Sequence, residues 1–149
     1  DALRRQGVRM LGWEFDEAVF RMIAVRSRGV PRWSLRLAES VWRTATAEGA
    51  SVVRADHADK TFDLEGIDGH GLTKMDRDYL GVLSELDGSV RLNVIGTRLR
   101  VPVQSLVKQV EPYLVRIGWV TKDDGGRRLT PRGVEQLRSQ AAGSEAEAS

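Results

Sequence analysis

A chain of 149 residues with 41% hydrophobic and 30% charged side chains has the balance of a globular protein, with room for one ordinary domain or two small ones. It has no cysteine, which excludes disulfides and thiolate metal sites; no apolar run approaches a membrane-spanning length and the N-terminus is unlike a signal peptide, so a cytoplasmic protein with no membrane partner is expected. Net charge is +2 and the basic residues are nearly all arginine, with 11 basic and 9 acidic side chains over positions 1–64 and 12 and 10 over 65–138. Neither half is a basic arm, so any grip on nucleic acid must come from local clustering.

Residues 1–64 read as helices, roughly Ala2 to Leu11, Asp16 to Arg26 and Pro31 to Ala47, followed by a last one from near Asp56. Asp16 is a candidate N-cap for the second. Ala18, Val19, Met22 and Ile23 supply its apolar stripe, and Leu35, Leu37, Ala38, Val41 and Trp42 supply that of the third. Between the second and third, Gly29 stops one helix, Val30 is held extended by the following proline, and Pro31 has the fixed φ suited to a first helical turn. Arg32 then falls beside the unpaired N–H groups and positive dipole end of a new helix, which suits an anion such as a triphosphate. The bland alternative is a solvated arginine at a helix start. A bundle of about 60 residues is marginal alone and is expected to lean on another domain.

Glu65 to Leu72 holds three glycines and reads as a linker. Thr73 caps a helix whose apolar face is Met75, Tyr79, Leu80, Val82, Leu83 and Leu86, and Gly88 ends it. Next come a short extended piece at Val90 to Leu92, a helix over Val94 to Leu99, a turn at Arg100 to Pro102 and a helix from Val103 to Ile117 in which Pro112 predicts a kink or a restart. Trp119 to Lys122 and Arg127 to Leu129 read as strands joined by a tight turn, Thr130 with Pro131 opens a final helix, and residues 139–149 read as a disordered acidic tail. The order of elements over 73–138 is that of a winged helix-turn-helix, so the expected fold is mainly α: a helical subdomain over 1–64, a linker over 65–72 and the winged helix.

A winged helix suits DNA, because its third helix fits a major groove and its wing reaches neighbouring phosphates. The candidate contacts are Arg100, Gln104 and Lys108 at or just before that helix, and Lys122, Arg127, Arg128 and Arg132 around the wing. Asp123 and Asp124 at the wing tip oppose them, and winged helices also serve as protein adaptors. His57 and His70 lie in separate segments with no carboxylate cluster at ligand spacing, so no metal site is expected. The four tryptophans read as core or interface residues.

Four separated strings carry a family resemblance: I-A-V-R-S-R-G-V-P-R from Ile23, E-G-I-D-G-H-G-L-T-K-M-D-R-D-Y-L from Glu65, E-P-Y-L-V-R-I-G-W-V from Glu111 and T-P-R from Thr130. In this order they resemble the C-terminal part of the RuvB family of Holliday-junction branch-migration motors, from about Leu11 to Leu137. The resemblance implies an AAA+ lid over 1–64 and a winged helix that faces DNA, duplex or four-way junction, in a hexameric ring engaged in recombination and repair. Arg32 matches the sensor-2 arginine that reads the ATP γ-phosphate, and Gly29 and Pro31 match the residues shaping its turn. The wing departs from the family: Lys122 to Arg127 reads K-D-D-G-G-R where an R-T-P-R-G-R-like run is usual, so Gly125 replaces an arginine. Nothing reads G-x-x-x-x-G-K-[ST], so no catalytic residue lies in this chain, and ATP with Mg²⁺ would bind only together with an N-terminal ATPase domain. The expectation is a C-terminal portion of an ATP-dependent DNA helicase, inactive alone; the alternative is a non-enzymatic winged-helix regulator or protein-interaction adaptor.

Overall fold

The computed structural model describes residues 12–148. It is mostly helical with one two-stranded antiparallel sheet, and it divides into two compact units, Asp1–Lys74 and Met75–Ser149. The helix expected over Ala2 to Leu11 lies outside the described residues.

The first unit contains α1 (Glu17–Arg26), α2 (Pro31–Ala47) and α3 (Ala55–Glu65). Val19 and Ile23 of α1 meet Leu37, Ala38, Val41 and Ala45 of α2 and Ala58 and Phe62 of α3 in one buried cluster. Val53 joins it from an extended segment that pairs with Phe15, through Val53 N–H to the Glu14 carbonyl at 2.9 Å and Asp16 N–H to the Val53 carbonyl at 2.8 Å. Two sequence expectations fail locally. Asp16 sits at the N-cap position of α1 but makes no side-chain capping bond. Leu35 is 47% exposed, because it lies about 200° around the helix from Leu37, outside the 37–41–45 stripe.

The second unit opens with α4 (Lys74–Leu86), then α5 (Leu92–Leu99), α6 (Val103–Ser105), a π turn at Leu106–Val110 and α7 (Glu111–Arg116). Leu86, expected on the core face, is 38% exposed, since the chain turns away directly after it at Asp87 with φ 43°. The strands β1 (Val120–Asp123) and β2 (Gly126–Leu129) pair Val120 with Leu129 and Lys122 with Arg127. Val90 pairs with β2 as a single additional bridge, exchanging two 2.7 Å backbone bonds with Arg127. Gly126 is required there: its φ is 145°, and a Cβ would lie 2.6 Å from the Val90 carbonyl oxygen.

Pro112 disrupts the third helix as its missing N–H dictates. The chain widens into the π turn and restarts as an α-helix at Glu111. The final helix, α8 (Pro131–Glu147), is capped by Thr130, whose Oγ1 accepts from Gly133 N–H at 3.0 Å and donates to the Gly118 carbonyl at 2.6 Å. It continues through Glu147 where sequence reading expects a disordered tail, consistent with the alanine, glutamate and glutamine content of that stretch.

Candidate nucleic-acid interface

Arg32 stands exposed in the first turn of α2, behind Gly29 at φ 71° and Val30 in an extended conformation. The residue that sequence reasoning missed is Arg28. It is 6% exposed, holds a left-handed φ of 58°, donates from Nε to the Gly71 carbonyl at 2.9 Å and lays its guanidinium 5.0 Å from the Trp33 ring centre. No local spacing pairs residue 28 with residue 71. The segment read as a linker is itself structured there: Asp68 Oδ1 accepts from His70 N–H at 2.8 Å and Leu72 N–H at 3.0 Å, and a Cβ on Gly71 would lie 3.0 Å from the Arg26 carbonyl oxygen. Residues 68–72 are thus a closed loop pinned to the turn that precedes Arg32.

The fold also corrects the reading of His57, which it brings beside Glu48 and Asp56, with one ligand atom of each within 4.8 Å of the others. Nδ1 of His57 accepts from Arg54 N–H at 3.0 Å, Nε2 lies 3.2 Å from Glu48 Oε2, and Lys60 pairs with the other oxygen of Glu48. The hydrogen bond and charge of Lys60 hold the Glu48 carboxyl below its usual range. With both imidazole nitrogens engaged and an ammonium already on the carboxylate, this cluster is an ion-pair clasp between α2 and α3 rather than a cation site.

In the second unit the wing rests on a buried carboxylate. Glu111 has no exposed surface, yet it is encircled by donors: Tyr79 O–H at 2.9 Å, Arg127 Nε at 2.7 Å to the same oxygen, and Arg127 Nη2 at 3.4 Å and Lys122 Nζ at 3.5 Å to the other. Burial pushes its carboxyl pKa up, but the hydrogen bonds from Arg127 and Tyr79 and the charges of Arg127 and Lys122 outweigh that and hold it below the usual carboxylate range. Burial, with the adjacent Glu111 charge, pushes the Tyr79 hydroxyl far up, so it remains a donor. The hydrogen bond to Glu111 raises Arg127 further.

Two of the expected DNA contacts are therefore not simple surface cations: the side chain of Arg127 is 16% exposed and bound to Glu111, and Lys122 is drawn toward the same carboxylate. Arg100, Gln104, Lys108, Arg128 and Arg132 are exposed, with Gln104 on α6 and Lys108 on the π turn. Arg128 also borders, with Arg138, an open groove of about 710 Å³ floored by Leu83, Leu129 and Leu137. Asp123 is a turn residue, its Oδ1 accepting from Gly125 N–H at 2.7 Å and Gly126 N–H at 3.1 Å.

Residues 69–138 match the family model for the RuvB C-terminal winged helix domain. The Holliday junction branch migration complex subunit RuvB of Wolbachia sp. subsp. Brugia malayi is 35% identical over 136 residues, covering 91% of this chain and 42% of that protein. Residues 69–138 are a RuvB-family winged helix domain. The RuvB relative in Anaplasma phagocytophilum is 35% identical over 124 residues, 83% of this chain and 38% of that one. The solved Thermotoga maritima RuvB Holliday junction branch migration motor superposes with a TM-score of 0.82 at 31% identity, over 92% of this chain and 47% of that chain. The chain thus spans about two-fifths of the RuvB proteins it matches, at their C-terminal, winged-helix end.

Proposed function

We propose that this chain serves as the C-terminal portion of a RuvB-type ATP-dependent DNA branch-migration motor, engaging DNA backbone through its winged helix and sensing nucleotide through Arg32. In this reading residues 1–64 are the AAA+ lid, 65–72 connect it onward and 73–138 are the DNA-facing domain. The observation that carries the proposal is the winged helix itself, in which Gln104 and Lys108 stand exposed on the third helix while Arg128 and Arg132 stand exposed beside the wing. The names of the relatives point the same way, since they describe subunits of a Holliday junction branch migration complex. A regulator or adaptor is not favoured, because the likeness extends through the lid as well as the winged helix.

ATP and Mg²⁺ are implied by the family, and the described residues fit only one corner of such a site: an exposed arginine at a helix start, without a phosphate cradle. In this proposal the cradle belongs to a separate ATPase domain and the active assembly is a hexameric ring on DNA.

Fluorescence anisotropy with a duplex and a four-way junction, at several salt concentrations, tests the DNA role. Weak, sequence-tolerant binding that falls steeply with salt is expected, the signature of counterion release from phosphates. Absence of binding to either DNA at low salt refutes it. For the sensing role, Arg32→Ala in a protein that includes the ATPase domain should cut turnover while leaving the melting temperature nearly unchanged, since an exposed first-turn side chain contributes little packing.

A further inference from the structure

We infer that Glu111 is the positioning residue of the wing: it holds Arg127 as an internal cation, draws the exposed Lys122 toward the same face, and leaves Arg128 as the outward phosphate contact of β2. The inference rests on the DNA-binding reading above. It starts from strand geometry. Lys122 and Arg127 are directly paired across β1 and β2, so their side chains share one face of the hairpin, and that face carries both to Glu111. Arg128 is the next residue, points to the opposite face and is paired with exposed Thr121.

The carboxylate reaches this place because the chain restarts as a helix at Glu111 after the π turn, and Tyr79 fixes it from α4. Three elements, α4, β1 and β2, therefore converge on a carboxylate that α7 carries and that has no exposed surface. For Arg127 to swing out to a phosphate it would have to give up both of its bonds to that buried charge, leaving it only Tyr79 and the more distant Lys122, an unfavourable exchange. Arg128 leaves no buried group unpaired when it binds an anion. The wing's stance toward DNA is set by the Glu111 anchor, and its electrostatic pull by Arg128.

The parent chain tests this without mutation. Side-chain ¹H–¹⁵N spectra of arginine Nε–H groups, recorded while a duplex is added at low salt, should show the Arg128 resonance move and the Arg127 resonance stay. Anisotropy adds a second readout: Arg128→Ala should flatten the salt slope by about one unit. Arg127→Ala combined with Glu111→Gln, which avoids an orphaned buried charge, should not flatten the slope of the parent, whereas Glu111→Gln alone frees Arg127 and should steepen it. Glu111→Gln alone should speed amide exchange at Val90 and Arg127 at least tenfold. If the Arg127 resonance moves with DNA, or its removal flattens the slope as Arg128→Ala does, the inference is overturned while the DNA reading stands. Failure of the parent to bind any duplex overturns both.

Discussion

Arg28 offers a prediction whose size follows from its surroundings. Its Nε bond to Gly71 is a hydrogen bond from a charged group, worth about 1.5–3 kcal/mol, and its stack on Trp33 adds about 0.5–2 kcal/mol. Arg28→Ala removes both and is expected to cost the first unit roughly 2–4 kcal/mol. Arg28→Gly removes the same contacts but also relieves the left-handed φ of 58°, which costs a non-glycine residue about 1–2 kcal/mol. Glycine gives back about 0.5–1 kcal/mol through unfolded-state entropy, so it should be more stable than alanine by roughly 0.5–1 kcal/mol. Urea denaturation followed by tryptophan emission reports on this unit, because Trp13, Trp33 and Trp42 lie in it and only Trp119 lies outside. An alanine variant within about 0.5 kcal/mol of the parent, or a glycine variant less stable than alanine, refutes the anchored and strained turn.

Three further outcomes are expected. A Cβ at Gly133 would lie 2.3 Å from the Trp119 carbonyl oxygen, so Gly133→Ala must displace the start of α8 and strain the Thr130 bonds; urea denaturation followed at the Trp119 indole resonance should show a loss of about 2–4 kcal/mol. Asp124→Asn should tighten DNA binding in anisotropy by removing an exposed negative charge, whereas Asp123→Asn should do so less, because Asp123 closes the turn with two hydrogen bonds. Glu111 has a folded pKa below its ordinary value of 4.5, so its contribution to stability is complete above that value and is lost as pH falls through the folded one; acid titration should destabilise the second unit as pH falls below that ordinary value and through the lower folded one, and Glu111→Gln should flatten that limb.

What sequence made legible was periodic or punctuated. The bounds of α2 follow from Pro31 and its apolar spacing, and those of the wing strands from the D-D-G-G turn, each within a residue or so. The break at Pro112 was legible because a missing N–H has only one consequence for a helix. What escaped was long-range. Arg28 meets Gly71 across 43 positions and Arg127 meets Glu111 across 16, and neither arginine differs in sequence from its exposed neighbours Arg32 and Arg128. Arginine bears a long apolar stem and a charge that is satisfied equally by solvent or by a buried acceptor, so residue type alone does not say which. The signal that could have pointed to Glu111 was its position directly before Pro112, where a helix restart turns a side chain out of the preceding register.

That position has an electrostatic consequence for the whole surface proposed to face DNA. A count of basic residues around the wing gives Lys122, Arg127, Arg128 and Arg132, but Glu111 neutralises one of the first two internally and Asp123 and Asp124 oppose the rest at the tip. Exposed cations remain at Arg128 and Arg132 beside the wing and at Arg100 and Lys108 near the third helix, with Lys122 exposed but drawn toward Glu111. Binding governed by so few phosphate contacts is weak per domain and strongly dependent on salt. Weak contacts that act together gain through effective concentration, so the proposed ring, presenting several copies to one duplex, holds it firmly while each copy lets go readily. In the proposed branch-migration role, which requires repeated release of DNA, a wing whose cations are partly held inward is better suited than a fully basic one.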